Sequence, residues 1–281
     1  MSGKILLSSC CVAASVSALL VHTAQAQSFY IDSMTDWTGN GCEAEDLDES
    51  TSLLALDLKD EGWTGSRFVN QSAWPQDIME SCNGAAYGGG MDASFGDAAN
   101  LVVIDGHGNT GFLAFGYKRD GKCTVDLGSS TNLSTKGVAR LGEMGGARAS
   151  VAMWLTCCTL KRESLAAHAN NQWLRQQLGF HGEAMIDKDM PDEFFEDNYA
   201  ESNKDAWLDS MEDAPGWFTG DNSAMVVSYG HTSAEATDTH NNLALRRNVQ
   251  FPRPDGAACK AGPPRFYYTL TYLDHGSDGC D

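Results

Sequence analysis

Residues 101–116 read LVVIDGHGNTGFLAFG, and residues 150–160 read SVAMWLTCCTL. Each opens with a short, continuous apolar run, the pattern of a strand buried on both faces of a sheet. His107 follows the first run between Gly106 and Gly108, and Cys157 follows the second. Working outward, apolar runs alternate with helical patterns. That spacing predicts βαβ units: an α/β fold with a mainly parallel sheet flanked by helices. In such sheets the crevice that carries function lies at the carboxyl ends of the strands. Both His107 and Cys157 fall there.

Strands are expected at 28–32, 100–106, 111–117, 148–156, 180–187, 223–230 and 265–272. The gap at 107–110 predicts a hairpin or tight corner. Helices are expected over 47–60, over 161–180 and through the acidic segment 191–213. The second has an apolar stripe of Leu165, Ala169, Trp173 and Leu174, with Gly179 as its stop. Pro75 suits a helix start, and 84–98 and 249–264 read as loop.

The N-terminus has a basic start at Lys4, an apolar stretch over 5–21 and Ala24-Gln25-Ala26, which is the layout of a secretory signal peptide over 1–26. Leu7-Ser8-Ser9-Cys10 has the look of a lipoprotein box, but too few apolar residues precede it. The expectation is therefore a secreted or periplasmic protein whose single domain spans 27–281, with its core at about 100–230. A formal charge of −19 argues against nucleic acid and anionic membrane surfaces as partners.

Export would leave Cys42, Cys82, Cys123, Cys157, Cys158, Cys259 and Cys280. Disulfides persist in an exported protein, and an odd number leaves one thiol free. Disulfide staples are expected in the N- and C-terminal segments, with Cys42–Cys82 and Cys259–Cys280 as the pairings suggested by position.

A histidine between glycines is by itself usually a loop residue, and a cysteine ending a buried strand a small inert one. Together they meet a requirement. A thiol is a poor nucleophile near neutral pH until an adjacent imidazole favours the thiolate. Adjacent parallel strands would deliver both groups to one edge. Gly106 and Gly108 would let the backbone approach a substrate closely.

The pattern of an apolar run, His-Gly, about fifty residues, a second apolar run, a small residue and Cys resembles the caspase-like cysteine peptidases. That group includes caspases, legumains, gingipains and metacaspases, and DGHGNTGFLAF is most similar to the legumain-type stretch. Residues 100–187 also resemble uncharacterised bacterial exported domains of that fold. The resemblance covers about 100–230. It implies a secreted cysteine endopeptidase acting on protein or peptide through an acyl-enzyme. Cys157 would be the nucleophile, His107 the acid and base, and the Gly108 and Cys157 amides the oxyanion donors. It implies no cofactor and locates no substrate-binding residues. Thr156 stands where the group has Ala or Ser, and Cys158 doubles the cysteine, so the nucleophile is Cys157 or Cys158. By position Cys157 is preferred, with Cys158 pointing inward or bridged to Cys123.

Two rivals come from other classes. One is a catalytically inactive module of the same fold, used for binding or surface interaction; its sign would be Cys157 in a disulfide with Cys158 or Cys123, or a His107 ring turned away from the sulfur. The other is a metal-dependent hydrolase using Asp105 and His107 with His231 or His240, although their spacing matches no standard zinc signature. The oxygen-rich segments 187–198 and 274–281 would suit a structural calcium, but they lack the EF-hand ligand order. His181 reads as structural.

Overall fold

The computed structural model describes residues 27–37, 41–42, 44–80, 89–119, 121–127, 136–142, 149–165, 174–213, 222–246 and 267–274. The main sheet contains β1 (Ser28–Ser33), β2 (Thr64–Val69), β3 (Leu101–Asp105), β8 (Val151–Leu155), β9 (Gln176–Phe180), β10 (Ala224–Gly230) and β11 (Tyr267–Tyr272). Their order is β11-β10-β9-β8-β3-β1-β2. The five strands from β2 to β9 run parallel, and β10 is antiparallel to both β9 and β11. The predicted α/β class and mainly parallel sheet are therefore present.

The pleat sends alternate residues to opposite faces. Phe29, Ile31, Leu101, Val103, Val151, Met153, Leu178 and Val226 face one side, where they pack on α1 (Ser52–Asp60), α2 (Asp189–Asp197) and α3 (Asn203–Glu212) through Leu54, Leu58, Phe194, Phe195 and Trp207. Tyr30, Val102, Ile104, Ala152, Trp154, Met225 and Val227 face the other side. There they meet a second, smaller sheet of β4 (Gly108–Asn109), β5 (Phe112–Arg119), β6 (Lys122–Asp126) and β7 (Lys136–Val138). Leu113, Phe115 and Val125 are its buried contribution. The hairpin of β4 and β5 makes the corner expected at 107–110, with Gly111 at φ +75° in its turn. A fourth helix, α4 (Ser233–Asn242), packs against β10 and β11. No described helix is long and apolar enough to cross a membrane.

Four secondary-structure expectations and two disulfide pairings need correction. Of the helix expected over 161–180, Arg162–Ser164 form a 3-10 turn and Leu165 is helical. Residues 166–173, with Ala169 and Trp173, lie outside the described residues, and Gln176–Phe180 are strand β9, so Gly179 lies in a strand and is not a helix stop. Gln176 and Gln177 look like helix-surface residues, yet both are fully buried. Gln176 donates to Ser228 Oγ at 3.0 Å; Gln177 donates to Tyr229 Oη at 2.8 Å and accepts from Trp154 Nε1 at 2.7 Å. Paired amides can live in a core. The strand expected over 180–187 ends at Phe180, and the loop beyond is held by Asn222, which accepts from Met185 N and donates to its carbonyl.

The helix over 47–60 begins only at Ser52, because Glu49 accepts from Thr51 N at 2.8 Å and Leu47 N bonds back to Thr35 O at 3.0 Å. The segment 191–213 forms two helices, with Ser202 capping the second by accepting from Asp205 N. Pro75 does open a short 3-10 turn, Pro75–Asp77.

The Cys42–Cys82 and Cys123–Cys158 pairings are both replaced by a Cys42–Cys123 disulfide. It pins the segment after β1 to β6. Cys259 and Cys280 lie outside the described residues.

Candidate active site

β3 and β8 are hydrogen-bonded parallel neighbours, in a register that sets Leu101 beside Val151 and Asp105 beside Leu155. Both continue for two residues to His107 and Cys157. The fifty-residue interval in the sequence is thus the register offset of the two strands, which brings their terminal loops side by side. Gly106 N donates to Leu155 O at 3.2 Å. A Cβ on Gly108 would lie 2.7 Å from Thr159 Oγ1, 2.8 Å from Thr156 Cβ and 2.9 Å from Cys157 O. Glycine is required there by close approach. Gly108→Ala is expected to force the loops apart at a cost of about 1–3 kcal/mol, read as a lower midpoint in urea, together with slower alkylation of Cys157 by peptidyl reagents.

His107 is fixed from two sides. Its Nε2 lies 2.8 Å from Glu45 O, and its ring meets Trp37 edge to face with centroids 4.8 Å apart. A carbonyl only accepts, so Nε2 carries a hydrogen and Nδ1 is the nitrogen left to act as base. Trp37 is itself held, donating from Nε1 to Met34 O at 3.0 Å and from its amide to Asp46 Oδ1 at 2.8 Å. Asn70, in the left-handed region at φ +51°, accepts from the Thr35 and Asp36 amides. Tyr117 donates to Asp36 at 2.9 Å. With the Cys42–Cys123 bridge, these contacts clamp the loop after β1 over the imidazole. Trp37 and Glu45 were missed from the sequence.

Cys157 is half-buried and is the free cysteine among the described residues, whereas Cys158 is buried and disulfide-bonded. Cys158 also adopts φ +58°, a left-handed conformation uncommon outside glycine, and its amide donates to Gly182 O at 2.8 Å. The expected free thiol therefore exists, and of the two cysteines Cys157 is the one available. The Cys157 sulfur accepts from Ala184 N and donates to Ala184 O, each at 3.4 Å. Burial pushes the thiol up, the Ala184 amide opposes this, and the Glu183 carboxylate adds to it. No hydrogen bond joins His107 to the sulfur. In this state the site holds a neutral thiol, not the thiolate expected from an adjacent imidazole.

The residues of the metal reading are not brought together. Asp105 accepts from Ser33 Oγ at 2.7 Å, and burial raises its carboxyl to about 6. His231 is exposed, with its amide on Glu235. His240 is buried between Ser228 and Thr271, at 3.0 and 2.8 Å, and desolvation lowers it to about 4, so its ring is neutral. Among the described residues the group able to offer three ligand atoms is Asp57, Asp192 and Glu196, between α1 and α2. Asp187, from the oxygen-rich 187–198 segment, caps α2 by accepting from Asp189 N and Met190 N. Most of 274–281 lies outside the described residues.

His181 follows β9, contacts Leu273 O at 2.7 Å and packs edge to face on Tyr272. It lines a cavity of about 170 Å³ with Lys161, Arg162, Glu163, Tyr272 and Asp274, on the same sheet edge as the thiol.

No curated protein matches the sequence. Residues 36–258 match the model of a family described as "Domain of unknown function (DUF6345)". That match takes in the loop after β1, both strand ends and the cavity wall at 161–163. On this match over most of its length, the chain belongs to the DUF6345 family.

Proposed function

We propose that the protein is a caspase-like cysteine endopeptidase with Cys157 as nucleophile and His107 as acid and base. The observation that carries the reading is the placing of an anchored imidazole and a free thiol on adjacent parallel strands at equivalent register positions. Substrate binding would displace the sulfur from Ala184. Cys157 Sγ attacks the scissile carbonyl carbon, and its proton passes to His107 Nδ1. The developing oxyanion lies near the Gly108 and Cys157 amides. Collapse breaks the C–N bond as His107 returns the proton to the leaving amine, and water then hydrolyses the thioester by the same route. The mainly parallel sheet flanked by helices, with His107 and Cys157 just past the carboxyl ends of neighbouring strands, supports the caspase-like reading of the fold. Residues 1–26 are read as a signal peptide, and the disulfides at Cys42–Cys123 and Cys158 support a secreted or periplasmic location.

Cys157→Ala is expected to abolish peptide cleavage by the mature protein while shifting stability by less than about 1 kcal/mol, since the side chain is only half-buried. Cleavage that survives this substitution overturns the proposal. The raised, Ala184-bound thiol favours one second reading, an inactive binding module of the same fold. On that reading wild type and variant are equally inert.

A further inference from the structure

β1 carries Tyr30 and Asp32 on the face that meets the smaller sheet, and the 3-10 turn Pro75–Asp77 lies against it. Tyr30 Oη is 2.6 Å from Asp32 Oδ1 and 2.9 Å from Asp77 Oδ2. A phenol has one hydrogen, so it donates to one of these oxygens only. Were both carboxylates ionised, the second contact would set two bare oxygens against each other in a site walled by Phe68 and Phe95, whose rings pack on Tyr30. Asp32 is fully buried and Asp77 almost so.

The charges facing the cluster decide which carboxyl is neutral. Asp77 Oδ2 also accepts from Trp74 N at 3.2 Å, and the Arg119 guanidinium, stacked 3.3 Å over the Trp74 ring, acts on Asp77. Among the described residues no cation acts on Asp32, and its charged neighbour is Asp77. Asp32 Oδ2 and Asp77 Oδ1 are each buried without a hydrogen bond, and burial raises both carboxyls; what separates the two is the Trp74 amide and the Arg119 charge, which favour the ionised form of Asp77.

We propose that Asp32 is a protonated carboxylic acid at neutral pH. It donates through Oδ1 to Tyr30 Oη, which donates to ionised Asp77, so that one retained proton clasps the 74–80 segment to β1. The clasp is a pH-sensitive latch. Burial and then the Asp77 charge hold the Asp32 carboxyl well above the usual carboxylate range. Its contribution is complete below that range and is lost as pH rises through the raised value. In alkali the proton leaves and like charges part the two segments. Gln76 Nε2, bonded to Arg119 O, and Glu80 N, bonded to Val138 O, carry the strain into the smaller sheet.

The test is infrared spectroscopy of the mature protein in the carboxylic-acid C=O region across neutral and alkaline pH, alongside thermal melts. Wild type should show an acid band at neutral pH that is missing from Asp32→Asn. That variant can donate an N–H to Tyr30, so it should melt at or above the wild-type temperature in alkali. Asp77→Asn removes the repelling charge, so the Asp32 band should titrate away at a lower pH than in wild type. The latch is overturned if Asp32→Asn removes no acid band, or if it lowers the melting temperature equally at acidic and alkaline pH. It is also overturned if a chelator destabilises wild type but not Asp32→Asn, which would put a cation in the proton's place.

Discussion

Trp154→Ala is expected to lower the unfolding free energy by about 3–5 kcal/mol, the largest effect of any single side chain considered. Trp154 sits mid-strand in β8, fully buried, between Ile104 on β3 and the β9 strand. Its loss leaves a cavity in the buried cluster that also contains Val102, Leu160 and Met225, in a face that cannot close because the strand register fixes its backbone. It also strands Gln177 Oε1, which accepts the indole N–H at 2.7 Å while the same amide donates to Tyr229. An unsatisfied buried acceptor adds to the cavity cost. For a domain of this size the melting temperature should fall by roughly 6–20 °C. Trp154→Phe refills part of the volume but keeps the orphaned acceptor, so its loss should fall between zero and that of the alanine variant. Equal stability of Trp154→Ala and wild type in a denaturant titration would refute this account of the core.

The double variant Cys42→Ser/Cys123→Ser should lose about 4 kcal/mol, because the bridge closes a loop with a sequence separation of 81 in the unfolded chain. An open unfolded chain exposes more surface, so the denaturant slope should rise as the midpoint falls. The functional consequence should exceed the thermodynamic one. The bridge holds the segment that carries Trp37 and the Glu45 carbonyl, and these orient His107. Capture of peptidyl reagents at Cys157 should therefore slow under conditions where the variant remains folded. An unchanged midpoint or an unchanged capture rate would each contradict the clamp.

The parts of the fold that were legible in the sequence are those in which burial alone fixes the pattern. LVVID and VAMWL are apolar throughout because parallel strands covered on both faces have no solvent side, and their fifty-residue separation matched the register offset. Gln176 and Gln177 hid β9, since a satisfied core amide has the same letter as a surface one. β2, with the sequence TGSRFV, is an edge strand largely in solvent and shows no alternation. α4 has no apolar stripe, although Thr232 and Glu235 three residues later are the start signal that would have found it: the Thr232 side chain accepts from Glu235 N at 3.1 Å.

The site divides in the same way. His107, Gly108 and Cys157 stand out because strand ends, glycine and thiol have chemical identities that a sequence displays. The anchor on His107 is a backbone carbonyl from 62 residues away, which no side chain announces. The protonation of Cys157 follows from burial and from Glu183, and both depend on how the 181–187 loop folds back.

The most direct test of the central claim is the reaction of Cys157 with a peptidyl ketone carrying a leaving group. It should be run at neutral pH on the non-reduced mature protein, with the adduct mapped by mass spectrometry and iodoacetamide as the reference. Because the resting thiol is neutral, iodoacetamide should react slowly and gain rate only in alkali. The peptidyl reagent should react through the site, and His107→Ala should slow it by about 10²–10⁴-fold while leaving the iodoacetamide rate nearly unchanged. If both reagents label Cys157 at similar rates in wild type and His107→Ala, the two residues do not act together and the peptidase account fails.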